Sequence, residues 1–154
     1  MKDLELWTLE GPSLLTARAD SQFSIAALMP PSGSIVAARL DGRKLVEAHD
    51  AFEQFSYALT FPAYFGWNWD ALSDCLRDLS WHPADHYLII VDHTESMLAG
   101  NTEEREILLS ILSRAAREWA DPLGKPDGKG VPFKVLLLCD DEPTEALHAE
   151  TAMR

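Results

Sequence analysis

With 154 residues, 47% of them hydrophobic and 25% charged, the chain has the size and composition to bury a substantial core as one domain without a metal or a disulfide, which excludes the disordered and fibrous classes. Its 25 Asp and Glu against 13 Lys and Arg leave a formal net charge of -12. That balance argues against bare nucleic acid as a ligand, because phosphate binding needs clustered cations, and favours a cationic partner.

The N-terminus, MKDLELWTLEGP, carries acids early and has no uninterrupted apolar run. It does not read as a signal peptide, and no segment approaches the length of a membrane span, so the expected location is the cytoplasm. Residues 4–9 and 13–18 can form two short strands turning at Gly11 and Pro12, and residues 30–33 make a second break. Residues 34–40 read as a strand that stops at the turn signal Asp41 and Gly42. Leu45, His49, Phe52, Phe55 and Leu59 then recur at spacings of three and four, the stripe of an amphipathic helix. Phe61 ends it, since a residue before proline is pushed out of the helical region.

A second helix begins near Asn68, with Leu72, Cys75, Leu76 and Leu79 as its apolar stripe. That stripe turns Asp70, Ser73, Asp74, Arg77 and Asp78 toward water. Residues 87–92, YLIIVD, are a continuous apolar run, as expected of a strand covered on both faces. A third helix covers roughly residues 103–119, capped by Thr102, with Ile107, Leu108, Ile111, Leu112, Ala115 and Trp119 inward. After a Gly-, Pro- and Lys-rich connection over 120–132, residues 133–139 form the last buried strand, and 141–154 a polar tail. Strands alternating with helices imply a parallel sheet with right-handed crossovers. The two cysteines, Cys75 and Cys139, fall on a helix stripe and a buried strand, where they serve as small apolar residues.

The second helix carries the sharpest signal. Asp70, Asp74 and Asp78 stand four residues apart, a like-charge spacing that destabilises an isolated helix by roughly 0.2–0.5 kcal/mol per pair. Only Asp70 lies close enough to the helix N-terminus to be favoured by its dipole. An acidic row where folding does not want one points to a partner. Carboxylates stacked on one helix need a second element to complete a Mg²⁺ shell, so the row suits guanidinium or ammonium groups better than a metal.

Before it stand four rings in six residues, Tyr64, Phe65, Trp67 and Trp69. Phe65 and Trp69 read as core, whereas Tyr64 and Trp67 are expected at the surface, and Gly66 at a turn whose geometry glycine meets cheaply. Other constellations carry less. His82 and His86 have the spacing of a zinc-binding helix, but Pro83 sits between them and breaks the helix. Asp92, His93, Thr94 and Glu95 leave a strand end without a nucleophile in view. The glycines near Lys125 and Lys129 precede a strand, whereas a phosphate-binding loop follows one.

With those residues assembled, the segment PAYFGWNWDALSDCL at residues 62–76 resembles the barstar family of intracellular ribonuclease inhibitors, and a looser similarity runs from Ser34 to Asp140. The resemblance implies an α/β fold with a small three-stranded parallel sheet packed with helices. Residues 34–140 would form that domain, 1–33 an N-terminal extension able to add one or two strands, and 141–154 the tail. It also implies that the second helix and its preceding loop dock into the active-site cleft of a cationic ribonuclease, with carboxylates in place of RNA phosphates. By position, Asp74 would be the principal anchor and Asp70 its support. Tyr64 would cover the cleft, Asn68 would shape the loop and cap the helix, and Glu118 is a weaker match to an acidic contact. The family often has an aromatic residue where this chain has Ser73, and a polar one where it has Trp67; Arg77 adds a cation to the presumed face.

The expected partner surface is therefore Tyr64, Trp67, Asn68, Asp70, Ser73, Asp74, Arg77, Asp78 and Glu118, with no catalytic residue, cofactor or metal. The expected function is a bacterial immunity or antitoxin-type protein that blocks a cationic ribonuclease or nuclease-like toxin, touching neither nucleic acid nor membrane. Two alternatives stand beside it: a small metal-dependent hydrolase using Asp70, Asp74, Asp92 and His93, and a barstar-like module for a partner other than a nuclease.

Overall fold

Continuous apolar runs become the middle of a sheet, because a strand covered on both faces has no side to give to water. In the computed structural model, which describes residues 6–19, 30–121 and 129–141, this holds for β3 (His86–Asp92) and β4 (Phe133–Cys139), whose interior residues are buried. They pair in parallel, Tyr87 opposite Phe133 and Val91 opposite Leu137. β2 (Ile35–Asp41) flanks β3 and alternates buried and exposed residues, as a half-covered edge should. β1 (Leu14–Arg18) pairs in parallel with β4, Leu14 opposite Val135 and Arg18 opposite Cys139. The sheet is thus four-stranded, in the order β1-β4-β3-β2.

That corrects the expected count of three. The extension supplies one strand, and it makes β4 a central strand instead of an edge. Residues 6–9 form no strand, and residues 4 and 5 lie outside the described part, as do 122–128 of the connection and the tail beyond Asp141. Lys134 explains how the segment before β1 is held. Its side chain is buried and its ammonium donates to the carbonyls of Glu10 (2.8 Å) and Pro12 (3.0 Å), the charge being compensated by main-chain acceptors.

Three helices, α1 (Ala48–Ala58), α2 (Trp69–Asp78) and α3 (Thr102–Ala120), pack on one face of the sheet. Phe55, Leu72, Leu76 and Leu112 meet Val36, Leu40, Ile89 and Leu137 there in the main core. The opposite face has its own cluster, Leu88, Ile90, Leu136 and Leu138, against which Leu6 and Trp7 pack from the N-terminal segment. At 25 cal/mol per Å² each such leucine contributes about 1.5–3 kcal/mol.

Two local expectations change. α3 is capped by Asn101, whose side chain accepts from the Glu104 amide at 3.0 Å, rather than by Thr102. His49, assigned to the buried stripe of α1, is exposed and stacks on Trp67 with ring centroids 5.3 Å apart; α1 is one turn shorter than the periodicity suggests, and Leu45 and Leu59 are buried just outside it. Cys75 and Cys139 are buried free thiols, and burial pushes Cys139 up to about 11. Among the described residues no helix is long and apolar enough to cross a membrane.

Candidate acidic interface on the second helix

α2 begins where Asn68 leaves the extended region and turns its side chain onto the helix. Its amide oxygen accepts from the Ala71 N–H at 2.8 Å and its NH₂ donates to the Gly66 carbonyl at 3.3 Å, so one residue caps the helix and ties the loop. Asn68→Ala should lower stability by about 1 kcal/mol, read as a fall of roughly 2–4 °C in Tm, and should loosen the loop that carries Tyr64 and Trp67. The helix ends at Leu79, which adopts a left-handed conformation (φ 47°) and is nonetheless fully buried.

The loop before α2 sorts its rings by burial. Phe65 is buried against Phe52 and Phe61, and Trp69 is half-buried on Phe52 with its indole N–H donating to Glu104 of α3 at 3.1 Å. Tyr64 (70% exposed) and Trp67 (45%) face solvent. The residue in the left-handed region is Trp67 (φ 56°), not Gly66. Gly66 matters for space instead: a Cβ there would come within 3.3 Å of the Ala71 side chain. A tryptophan in that conformation costs on the order of 1–3 kcal/mol, and it is held between His49 and Phe65. The ring is thus presented at the surface on a bed of two other rings.

Asp70, Asp74 and Asp78 all lie exposed on α2, the Asp74 side chain at 74%. Arg77 is the exception on this face, with only 24% of its side chain exposed. Its guanidinium donates to Asp74 (2.6 Å), to Glu118 of α3 (3.4 Å) and to the Ser73 carbonyl (3.2 Å), and Arg114 holds Glu118 from the other side at 2.9 Å. Burial alone would push the Glu118 carboxyl up; the hydrogen bonds from Arg114 and Arg77 outweigh it and hold it below the usual carboxylate range. Partial desolvation, and then the Asp78 carboxylate, raise the Tyr64 phenol above its usual value.

Ser73 departs from the expected face: it is 8% exposed, turned into the α2–α3 contact. The reason is position, since it lies on the side of α2 that α3 covers and not on the side of Asp74. The geometry therefore gathers Asp70, Asp74, Asp78 and Arg77 on α2, Glu118 on the adjoining helix and Tyr64 and Trp67 on the loop. His49 beneath Trp67 and Arg114 beside Glu118 belong with them, though neither stands out in the sequence. Arg114 and Glu118 are four residues apart on one helix, a spacing that pairs charges; nothing local links His49 to Trp67.

Asp92 and His93, the remaining candidates for a hydrolase site, are engaged elsewhere. Asp92 is clamped by Arg39 at 2.6 and 2.9 Å, and His93 lies 2.8 Å from Asp140. Among the described residues no group of three or more His, Cys, Asp or Glu is arranged to hold a metal. The family model described as Barstar (barnase inhibitor) matches residues 35–138. No curated protein matches the chain.

Proposed function

The chain belongs to the barstar family, and from that premise we propose that it acts as a non-enzymatic immunity or antitoxin-type protein, placing the α2 carboxylates in the active-site cleft of a cationic ribonuclease in the cytoplasm. The observation that carries this reading is the exposed row Asp70, Asp74 and Asp78 beside Tyr64 and Trp67 on a chain of net charge -12. Carboxylates fixed on a rigid helix offer a ribonuclease's arginines and lysines what RNA phosphates offer them, and large rigid rings beside charges form interface hot spots. Asp74 is the anchor in this reading. Arg77 keeps its carboxylate oriented in the free protein and shares it with the partner's cations on binding.

The field of the whole molecule then steers association. Raising salt from about 0.05 M to about 0.5 M should slow the association rate by an order of magnitude or more while changing dissociation far less, as surface plasmon resonance would resolve. The deciding experiment captures partners on the immobilised chain and assays them for RNA cleavage. An activity that free wild-type chain suppresses and the Asp74→Ala variant does not supports the inhibitor reading. A captured partner without RNA cleavage transfers the scaffold to a different protein partner.

A further inference from the structure

Between α2 and α3 lies a groove of about 420 Å³. Its walls are Trp69, Ile107 and Ile111, and Ile107, expected in the core, is 36% exposed along it. Its floor is Ser73, the buried member of the lining at 8% exposure, and the Ser73 hydroxyl has no hydrogen-bond partner among the described residues. That hydroxyl opens onto the groove, so a donor or acceptor arriving from outside can meet it there in place of water. Asp70, Glu103, Glu106 and Arg114 stand exposed at the rim, which stays net acidic because Arg114 is already paired with Glu118.

We propose that this groove takes a tyrosine or tryptophan side chain carried on a basic segment of the protein partner, an inference that rests on the inhibitor reading for the partner's charge. The chemistry separates the two parts of that segment. A guanidinium or ammonium driven to the floor would exchange its water for one hydroxyl, which is costly, whereas a phenol or indole needs one partner and brings a flat apolar body for Trp69, Ile107 and Ile111. The cations belong at the rim, where three carboxylates remain in water. With a serine at its floor, the slot between the two helices is open to a ring from elsewhere. Ser73 and Ile107 are then specificity-determining residues, distinct from the Asp74 anchor.

The test uses the full-length ¹⁵N-labelled chain and four capped tripeptides, Lys-X-Lys with X as Tyr, Trp, Phe or Ala. At about 10 mM peptide, suited to millimolar single-side-chain affinity, the Tyr and Trp peptides should shift the Trp69 indole and Ser73 amide signals at least about threefold more than the Ala peptide. Phe, lacking the donor, should fall between. Ser73→Trp, which fills the groove from within, and Ile107→Ala, a surface change that leaves the fold intact, should each remove the excess shift, while Asp74→Ala should retain it. Equal shifts with the Ala peptide, or no shift with any, overturn the proposal. The ribonuclease capture is independent of these peptides, so a groove that binds rings beside a chain that captures no nuclease would overturn only the inhibitor reading.

Discussion

Asp74→Ala is expected to weaken binding to the cognate ribonuclease by about 2–5 kcal/mol, some 30-fold to several thousand-fold in Kd, the range for truncating one member of a desolvated, hydrogen-bonded charge pair. Most of that cost arises on the partner, whose cations would be left without the carboxylate they bury. The free protein should hardly notice. Asp74 is 74% exposed in its pair with Arg77, and such surface pairs contribute about 0.2–1 kcal/mol, so thermal unfolding should move by no more than a few degrees. Arg77 would stay in place, because Glu118 and the Ser73 carbonyl still hold it. A calorimetric Kd unchanged by the substitution would remove Asp74 from the interface. Asp78→Ala is the internal comparison: at the C-terminal end of α2, one turn beyond Asp74, it should have the smaller effect.

The second large effect is expected from deleting residues 1–33, and it falls on stability rather than on binding. β1 and the segment before it are joined to the sheet by five paired positions on β4, by Lys134 and by the packing of Leu6 and Leu14, which are 1% and 0% exposed. Those two leucines alone contribute about 1.5–3 kcal/mol each, against a total stability of about 5–15 kcal/mol for a domain. Removing them also uncovers Leu136 and Leu138 and converts β4 into an apolar edge, the feature that promotes aggregation between sheets. The truncated chain should therefore be largely unfolded or aggregated at 37 °C, as urea titration and light scattering would report. A truncated chain as stable as the full one would make the extension an appendage instead of part of the domain. The family match begins at residue 35, whereas the sheet includes β1.

Much of this arrangement was determined by local sequence. The runs YLIIVD and FKVLLLC read as buried strands, and both lie in the middle of the sheet. The apolar stripe Leu72, Cys75, Leu76 and Leu79 oriented α2, and with it the outward row Asp70, Asp74 and Asp78, because side chains three and four residues apart must share a face. Tyr64 and Trp67 separated from Phe65 and Trp69 as expected. What periodicity cannot contain is the identity of a neighbour distant in sequence. Whether residues 14–18 pair with β4 depends on a contact across more than a hundred residues; whether Ser73 faces water or α3 depends on where α3 lies over α2. The strain at Trp67, resting on His49, and the hold of Glu118 on Arg77 are likewise properties of elements brought together. The sequence by itself determined which residues form strands and helices and which carboxylates face out, since those follow from spacing along one element. Only the tertiary structure decided that the sheet has a fourth strand, that Glu118 of α3 joins Arg77 and Asp74, and that a ring-sized groove lies between α2 and α3, because each depends on the packing of one element against another.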